Sequence, residues 1–179
     1  WLCEQTAGFS FVGGDCDDID WSINPGVPEV CDASGVDENC DGFANDSGAI
    51  DATIWYEDFD ADGFGNPLNS ITACEAPTGY ILDNTDCNDL DNSIYPNAVE
   101  RCDGLVNECG ATLLANEIDD DADGFVECAI DVNGWDGASS VIGGEDCNDA
   151  DNSIFPAAPE ICDGLDNNCD SSTPSNETD

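Results

Sequence analysis

An eighteen-residue block that recurs three times without a gap limits what this chain can become more than any other feature. It runs from Asp15 to Asp32, from Asp86 to Asp103 and from Asp146 to Asp163, and Asp, Cys, Asp, Asp, Ser, Ile, Pro, Glu, Cys and Asp hold the same ten positions in every copy. A repeat of this length marks an array of small units that bury little alone and gain rigidity from their neighbours. The twelve cysteines keep the same rhythm, four to a module: Cys3, Cys16, Cys31, Cys40; Cys74, Cys87, Cys102, Cys109; Cys128, Cys147, Cys162, Cys169. An even number of cysteines, with no His and no C-x2-C knuckle to hold zinc, reads as a disulfide framework made in an oxidising compartment. The spacing from second to third cysteine is constant, while that from first to second stretches in the last copy. A variable loop closed by a staple suggests Cys74 with Cys87 and Cys102 with Cys109, and the corresponding pairs elsewhere, one of three connectivities per module.

Charge decides what must replace a large core. Forty-two Asp and Glu face a single basic residue, Arg101, for a formal net charge of −41. No salt-bridge network is possible, so the carboxylates are solvated, protonated or neutralised by a bound cation, and at neutral pH the cation is the expected answer. An acidic disordered tail has no use for twelve cysteines, four Trp, three Tyr and seven Phe. The chain is therefore expected to fold with its metal and to lose order without it. The sign of the charge excludes nucleic acid as a partner. No apolar run approaches eighteen residues, so membrane insertion is not expected, and the absence of a basic, apolar leader at Trp1 reads as a mature or excerpted sequence. The expected location is extracellular or at the cell surface.

The candidate metal ligands lie in loops. Asp58, Asp60 and Asp62 alternate ahead of Gly63 and Phe64, and Asp119, Asp121 and Asp123 do the same ahead of Gly124 and Phe125. Calcium takes six to eight oxygens, and alternating carboxylates followed by a sharp glycine bend let one loop supply several, with the carbonyls of Phe64 and Phe125 as further ligands. Asp37, Asn39 and Asp41, followed by Gly42 and Phe43, make a third version. Asp166, Asn168 and Asp170 make a fourth, with Ser171 where Gly is expected. The matching stretch of the middle module reads Val106, Glu108 and Gly110, and is expected to be empty. The twelfth position of an EF-hand should be Glu, whereas Asn69, Ile130 and Gly48 stand there, so helix-loop-helix hands are not expected. The missing ligands are sought in the repeated block itself: Asp86, Asp89, Asp91, Glu100 and Asp103, with Asp15, Asp18, Asp20, Glu29 and Asp32 in the first copy and Asp146, Asp149, Asp151, Glu160 and Asp163 in the last.

The expected fold class is thus a set of small, disulfide-rich, calcium-stabilised tandem repeats, mostly loops and turns with short β-hairpins and little helix. Modules are expected over 1–50, 51–112 and 113–179, the first shortened. Ile71-Thr72-Ala73-Cys74 and Gly79-Tyr80-Ile81-Leu82 read as two strands about the Pro77-Thr78-Gly79 turn, with Val141 and Ile142 as a counterpart in the third module. Ala111 to Glu117 is expected to make one or two helical turns.

The segments Asp86-Cys87-Asn88-Asp89, Pro96, Glu100, Cys102-Asp103-Gly104 and Asp163-Gly164-Leu165-Asp166-Asn167-Asn168-Cys169-Asp170 resemble the MopE-type metal-binding repeat found in tandem in bacterial extracellular proteins. The resemblance implies secretion and metal binding. A copper mode known in that family uses histidine and an oxidised tryptophan; this chain has no His or Met, so Trp21, Trp55 and Trp135 are read as core or stacking residues. The acidic loops are also similar to thrombospondin type-3 and dockerin calcium loops. Several calcium ions per chain, and other copies of the chain or neighbouring modules of a larger surface protein, are the expected partners. A structural or adhesive role is expected; no carboxylate pair or His, Lys or Ser constellation stands out for catalysis, and calcium storage or sensing is the alternative.

Overall fold

The computed structural model describes residues 14–173, which fall into two compact units that divide between Asn92 and Ser93. Regular structure is sparse in both, as the repeat chemistry requires. In the first unit β1 (Thr53–Glu57), β2 (Ser70–Ala73) and β3 (Tyr80–Ile81) form a three-stranded antiparallel sheet in the order β2-β1-β3. Thr53 faces Ala73 and Trp55 faces Ile71 on one side of β1, while Tyr56 faces Ile81 on the other. Strands β2 and β3 lie where the residues about the Pro77 turn predict strands, but they do not pair with each other. The β-branched and aromatic run Thr-Ile-Trp-Tyr of β1 inserts between them, and Trp55 anchors it by donating its indole N–H to the Ala73 carbonyl at 3.0 Å.

Among the described residues of the second unit a 3-10 turn spans Ala115–Glu117, at the end of the stretch expected to be helical. Strands β4 (Phe125–Val126) and β5 (Gly143–Gly144) pair in parallel, so the counterpart expected at Val141 and Ile142 sits two residues later. Gly143 and Gly144 are required there. A Cβ on the first would fall 2.4 Å from the Phe125 ring, and on the second 2.2 Å from the Cys128 carbonyl.

Among the described residues the buried apolar ones are few: Ala49 in the first unit, and Ile94, Ala98, Val126, Val141, Ile154 and Ala158 in the second. Buried carboxylates and amides outnumber them, among them Glu29, Asp86, Asp89, Asn107, Glu117, Asp146, Asp149 and Asn167. Trp135 packs as read from sequence, against Gly104, where an added Cβ would fall 2.7 Å from its ring. Trp21 does not: it is 88% exposed and joins neither a core nor a stack. No described helix is long and apolar enough to cross a membrane.

The disulfides correct the expected pairing. Second and fourth cysteines bond within a module in Cys16–Cys40 and Cys147–Cys169, and third cysteines bond the first cysteine of the following module in Cys31–Cys74 and Cys102–Cys128. Cys87 and Cys109 are disulfide-bonded as well. The staples do not close the variable loops; they pin the loops that contain Cys40 and Cys169 to their blocks and each module to the next. Their Cα separations of 5.2 to 6.0 Å suit a bridge. The closed segments of 22 to 43 residues are longer than those of the expected pairing, and chain entropy makes each worth about 3.5–4 kcal/mol.

Candidate metal centres

Four acidic loops follow one backbone path. In Asp58–Phe64, Asp119–Phe125, Asp37–Phe43 and Asp166–Ser172 the fourth residue (Ala61, Ala122, Cys40, Cys169) has φ of 64°, 66°, 57° and 55°, and the sixth (Gly63, Gly124, Gly42, Ser171) has 95°, 98°, 99° and 68°. Residues with a side chain enter this region seldom, so the same double departure in four places is a built feature. Ser171 adopts it without the freedom of glycine.

One hydrogen-bond ladder holds these paths. The third residue's side-chain Oδ1 accepts from the amide of the fifth: Asp60 from Asp62, Asp121 from Asp123, Asn39 from Asp41 and Asn168 from Asp170, at 2.9 to 3.2 Å. The fifth residue's Oδ1 accepts from the amide of the seventh, in Asp62 with Phe64, Asp123 with Phe125, Asp41 with Phe43 and Asp170 with Ser172, at 2.8 to 2.9 Å. The first residue's Oδ2 reaches the sixth amide in three loops, Asp119 with Gly124, Asp37 with Gly42 and Asp166 with Ser171. In Asp60, Asp62, Asp119, Asp121 and Asp123 one oxygen is thereby oriented and the other has no hydrogen-bond partner, whereas Asp37 and Asp166 use both, their Oδ1 accepting from the amides of Asp41 and Asp170.

Two of the loops meet carboxylates from a repeated block. In the first unit Asp86 and Asp89 come up against the 58–64 loop: the Asp86 amide donates to the Gly65 carbonyl at 3.2 Å, and the Phe59 amide donates to Asp89 Oδ1 at 2.7 Å. Carboxylate oxygens of Asp58, Asp60 and Asp62 lie within 4.8 Å of one another, and so do those of Asp60, Asp86 and Asp89. The second unit repeats the arrangement. The Asp146 amide donates to the Val126 carbonyl at 3.0 Å, the Asp120 amide donates to Asp149 Oδ1 at 3.0 Å, and oxygens of Asp119, Asp121 and Asp149 cluster within the same limit. Phe125, the last residue of this loop, stacks on Phe155 with ring centroids 5.3 Å apart.

The two cages carry matching sets of unsatisfied oxygens. Asp58 Oδ1 and Oδ2 of Asp60, Asp62 and Asp86 are buried without a hydrogen-bond partner, and so are Asp119 Oδ1 and Oδ2 of Asp121, Asp123 and Asp146. Buried polar atoms are nearly always paired, so four orphaned carboxylate oxygens in one place mark a spot that a bound cation or a retained proton would satisfy. The electrostatics agree. Burial, and then the neighbouring charges of Asp62, Asp86 and Asp89, push the Asp60 carboxyl above its ordinary value. Burial, with the charges of Asp86, Asp58 and Asp89, does the same to Asp62. Asp123, Asp146 and Asp149 are raised for the same first cause. Each resists ionising without a cation, and each would ionise readily around one. The donors are all hard oxygens, with neither His nor Met in the chain, which suits calcium or magnesium and suits zinc and copper poorly. A cation in the first cage would be held by Asp58, Asp60, Asp62 and Asp86, and one in the second by Asp119, Asp121, Asp123 and Asp146.

The remaining candidate ligands have other partners. Glu29 is buried and accepts from the amides of Glu38, Asn39 and Asn45; Glu100 accepts from those of Asn107 and Glu108, and Glu160 Oε1 from that of Asn168, while Glu160 Oε2 is buried and unpaired. Asp32 takes the amides of Ser34, Gly35 and Val36. Asp103 and Asp163 hold Leu105 and Leu165 together with the Asn107 and Asn167 side chains. Asp20 and Asp151 bond Ser22 and Ser153, and those bonds lower their carboxyls below the ordinary value. Asp15 orients the Asp17 amide and Asp18 is exposed; no upstream acidic loop joins them among the described residues. In the 37–43 and 166–172 loops Asp41 and Asp170 are exposed, so these are open rings and not buried cages.

Two kinds of residue escape sequence reasoning. Asn107 and Asn167, both fully buried, take the amides of Arg101 and Ile161 and donate to Asp103 and Asp163, the last residue of their blocks; Glu38 takes the corresponding Val30 amide in the first copy. Their only signal is their fixed place two residues before the fourth cysteine. Glu117, 2% exposed, accepts from the Asp103 and Gly104 amides and keeps Oε2 buried and unpaired.

The family model for Cu-binding MopE, described as a "putative metal-binding motif", matches residues 15–46, 86–112 and 146–173. No curated protein and no solved structure matches the chain.

Proposed function

Because this chain carries three copies of the MopE-type metal-binding motif, we infer that it is a calcium-binding, disulfide-stapled structural module of an extracellular or cell-surface assembly. The observation that carries this reading is the pair of buried cages, each with four carboxylate oxygens that have no protein partner. A divalent cation supplies what a chain with one basic residue cannot, and an all-oxygen cage of carboxylates favours calcium over the softer metals. Extracellular sites of this kind bind at about 10⁻⁴ to 10⁻³ M, enough to stay loaded outside a cell and to rigidify a protein permanently. Staples that join successive modules, in addition to those within a module, suit a load-bearing array more than a sensor that must open. In this reading the chain has a structural role and carries out no reaction.

The test is metal competition on the full, oxidised chain. Dialysed to equilibrium against calcium, magnesium, zinc and copper together, each at about 1 mM so that sites of this affinity fill, the protein is expected to hold calcium in excess over the dialysate, with at least one ion per cage. Retention of copper or zinc in preference to calcium, or of no divalent ion, would overturn the assignment.

A further inference from the structure

We propose that the cavity beside Glu117 in the second unit binds a primary alkylammonium group, the end of a lysine side chain or of a free aliphatic amine, through the Glu117 carboxylate. The site goes beyond the calcium reading: it is separate from the two cages and takes an organic cation.

The carboxylate carries a charge that its structural task does not use. Glu117 is 2% exposed, and its Oε1 accepts from the amides of Asp103 and Gly104 at 2.9 and 3.0 Å, while Oε2 is buried with no hydrogen-bond partner. A glutamine would hold the two amides equally well through its carbonyl oxygen. Nor does the neighbouring cage need the charge. The residue two places ahead of the matching loop in the first unit is Tyr56, yet both cages carry the same four orphaned oxygens. A buried carboxylate with one oxygen unmet is costly unless a cation meets it.

Glu117 lines a cavity of about 390 Å³, a size that suits a small ligand. The rest of the wall decides which one. Leu113, Ile118 and Val141 supply hydrocarbon, and Trp135 supplies an indole whose N–H is already engaged by the Ala138 carbonyl at 3.0 Å. Asp119 and Asp123 reach the same wall. Each gives one oxygen to a backbone amide, of Gly124 and Phe125, and the other to the cage, where a calcium ion offsets its charge. Glu117 is then the one carboxylate of the wall whose charge nothing meets.

A metal ion fits this wall poorly. Calcium takes six to eight oxygens, and a hydrated ion would shed water against Leu, Ile, Val and Trp in exchange for one carboxylate. A guanidinium fits less well than an ammonium, since its fork pairs with both oxygens of a carboxylate and Oε1 is engaged. An alkylammonium needs a single strong acceptor, lays its methylene stem along hydrocarbon and gains from a nearby aromatic ring. None of the 179 residues is a lysine, so no side chain of this sequence fills the site.

The experiment uses the full, oxidised, calcium-loaded chain, titrated with n-pentylammonium, with n-pentanol, and with a lysine flanked by two glycines and capped at both ends. Calorimetry gives the constants, and the Trp135 indole N–H signal, assigned with Trp135→Phe, reports the place. Pentylammonium should bind at one site per chain and move that signal, and pentanol should bind far more weakly. Glu117→Gln should weaken pentylammonium by roughly ten- to a hundredfold and leave calcium content unchanged. A net charge of −41 gathers cations diffusely, and removing one charge hardly alters that atmosphere, so a loss of this size marks a site. Nuclear Overhauser contacts from the pentyl chain to Trp135 and Leu113 in the parent test the same point without a variant. If the capped lysine binds as pentylammonium does, the source is a partner's lysine; if pentylammonium alone binds, it is a free amine. Equal binding to Glu117→Gln, pentanol binding as tightly as pentylammonium, no contact with Trp135, or fewer calcium ions held by Glu117→Gln would overturn the proposal. Metal content measured on the same samples keeps the two ideas apart: the cages are judged by bound calcium, and this site by amine binding that depends on Glu117.

Discussion

Replacing Asp62 with Asn separates a metal cage from a merely acidic loop, because the two accounts predict opposite signs for the calcium-free protein. Asp62 Oδ1 accepts from the Phe64 amide at 2.8 Å, and an asparagine carbonyl keeps that bond and the loop's path. The other oxygen is buried without a partner and faces the charges of Asp58, Asp86 and Asp89. Asn places an NH2 group there and removes one negative charge. Without calcium the variant should be more stable than the parent, since a buried charge among like charges is gone. With calcium it should be less stable, since a charged ligand is lost. A charge-assisted contact is worth about 1.5–3 kcal/mol, which corresponds to a dissociation constant weakened by roughly ten- to a hundredfold. At a calcium concentration about a hundred times the parent's constant, binding stabilises the parent by about 2.7 kcal/mol per site, and the variant's site by about 1.4 to 0.4 kcal/mol. Calorimetric titration gives the constants, and melting with and without calcium gives the signs. If Asp62→Asn leaves the calcium increment unchanged, or destabilises the calcium-free protein, the carboxylate is not a ligand and the cage is misread.

Other consequences can be measured on the same material. Changing Cys102 and Cys128 together to Ser opens the 26-residue staple and should cost about 3.5 kcal/mol, read as a lowered denaturant midpoint of the calcium-loaded chain. Gly144→Ala would drive a Cβ to 2.2 Å from the Cys128 carbonyl, and a backbone atom cannot step aside; a loss of about 1–3 kcal/mol in the same assay is expected. The pH dependence should reverse with metal. Asp60, Asp62, Asp123, Asp146 and Asp149 hold their protons more tightly in the folded, calcium-free protein than in the unfolded chain. Their contribution is therefore present below the ordinary carboxylate value and is lost as pH rises through the raised values. Calcium must displace those protons, so the loaded protein should gain stability with pH over the same window. Melting temperatures taken between about pH 3 and pH 7 should slope down without calcium and up with it.

The chemistry of this chain was legible in its sequence because it is local. Alternation of Asp with a glycine bend fixes the direction of Asp58, Asp60 and Asp62 within one turn, and no distant contact is needed to see it. Small disulfide-rich repeats with little helix follow from the same local signals, and so does the Ala115–Glu117 turn. What escaped was pairing across distance. Two strand-like runs about a turn read as a hairpin, and only the fold reveals β1 between them. The cysteines allow several connectivities, and the bridges from Cys31 to Cys74 and from Cys102 to Cys128 pass from one module into the next, which spacing inside a module cannot show. The same limit applies to the acids of the repeated block. Asp86 and Glu100 are equally fixed in every copy, yet one faces a cage of carboxylates and the other clasps backbone amides. Sequence marks both as indispensable and does not say for which task.

Metal, and not apolar burial, is expected to hold the folded chain together. The direct measurement is thermal unfolding of the intact, oxidised protein followed by circular dichroism, first loaded with calcium, then after exhaustive chelation, then after calcium is restored. Order should be lost or the transition lowered steeply on chelation and recovered on restoring calcium, with magnesium restoring less. A chelated protein, shown by metal analysis to be free of divalent ions, that melts as the loaded one does would contradict it.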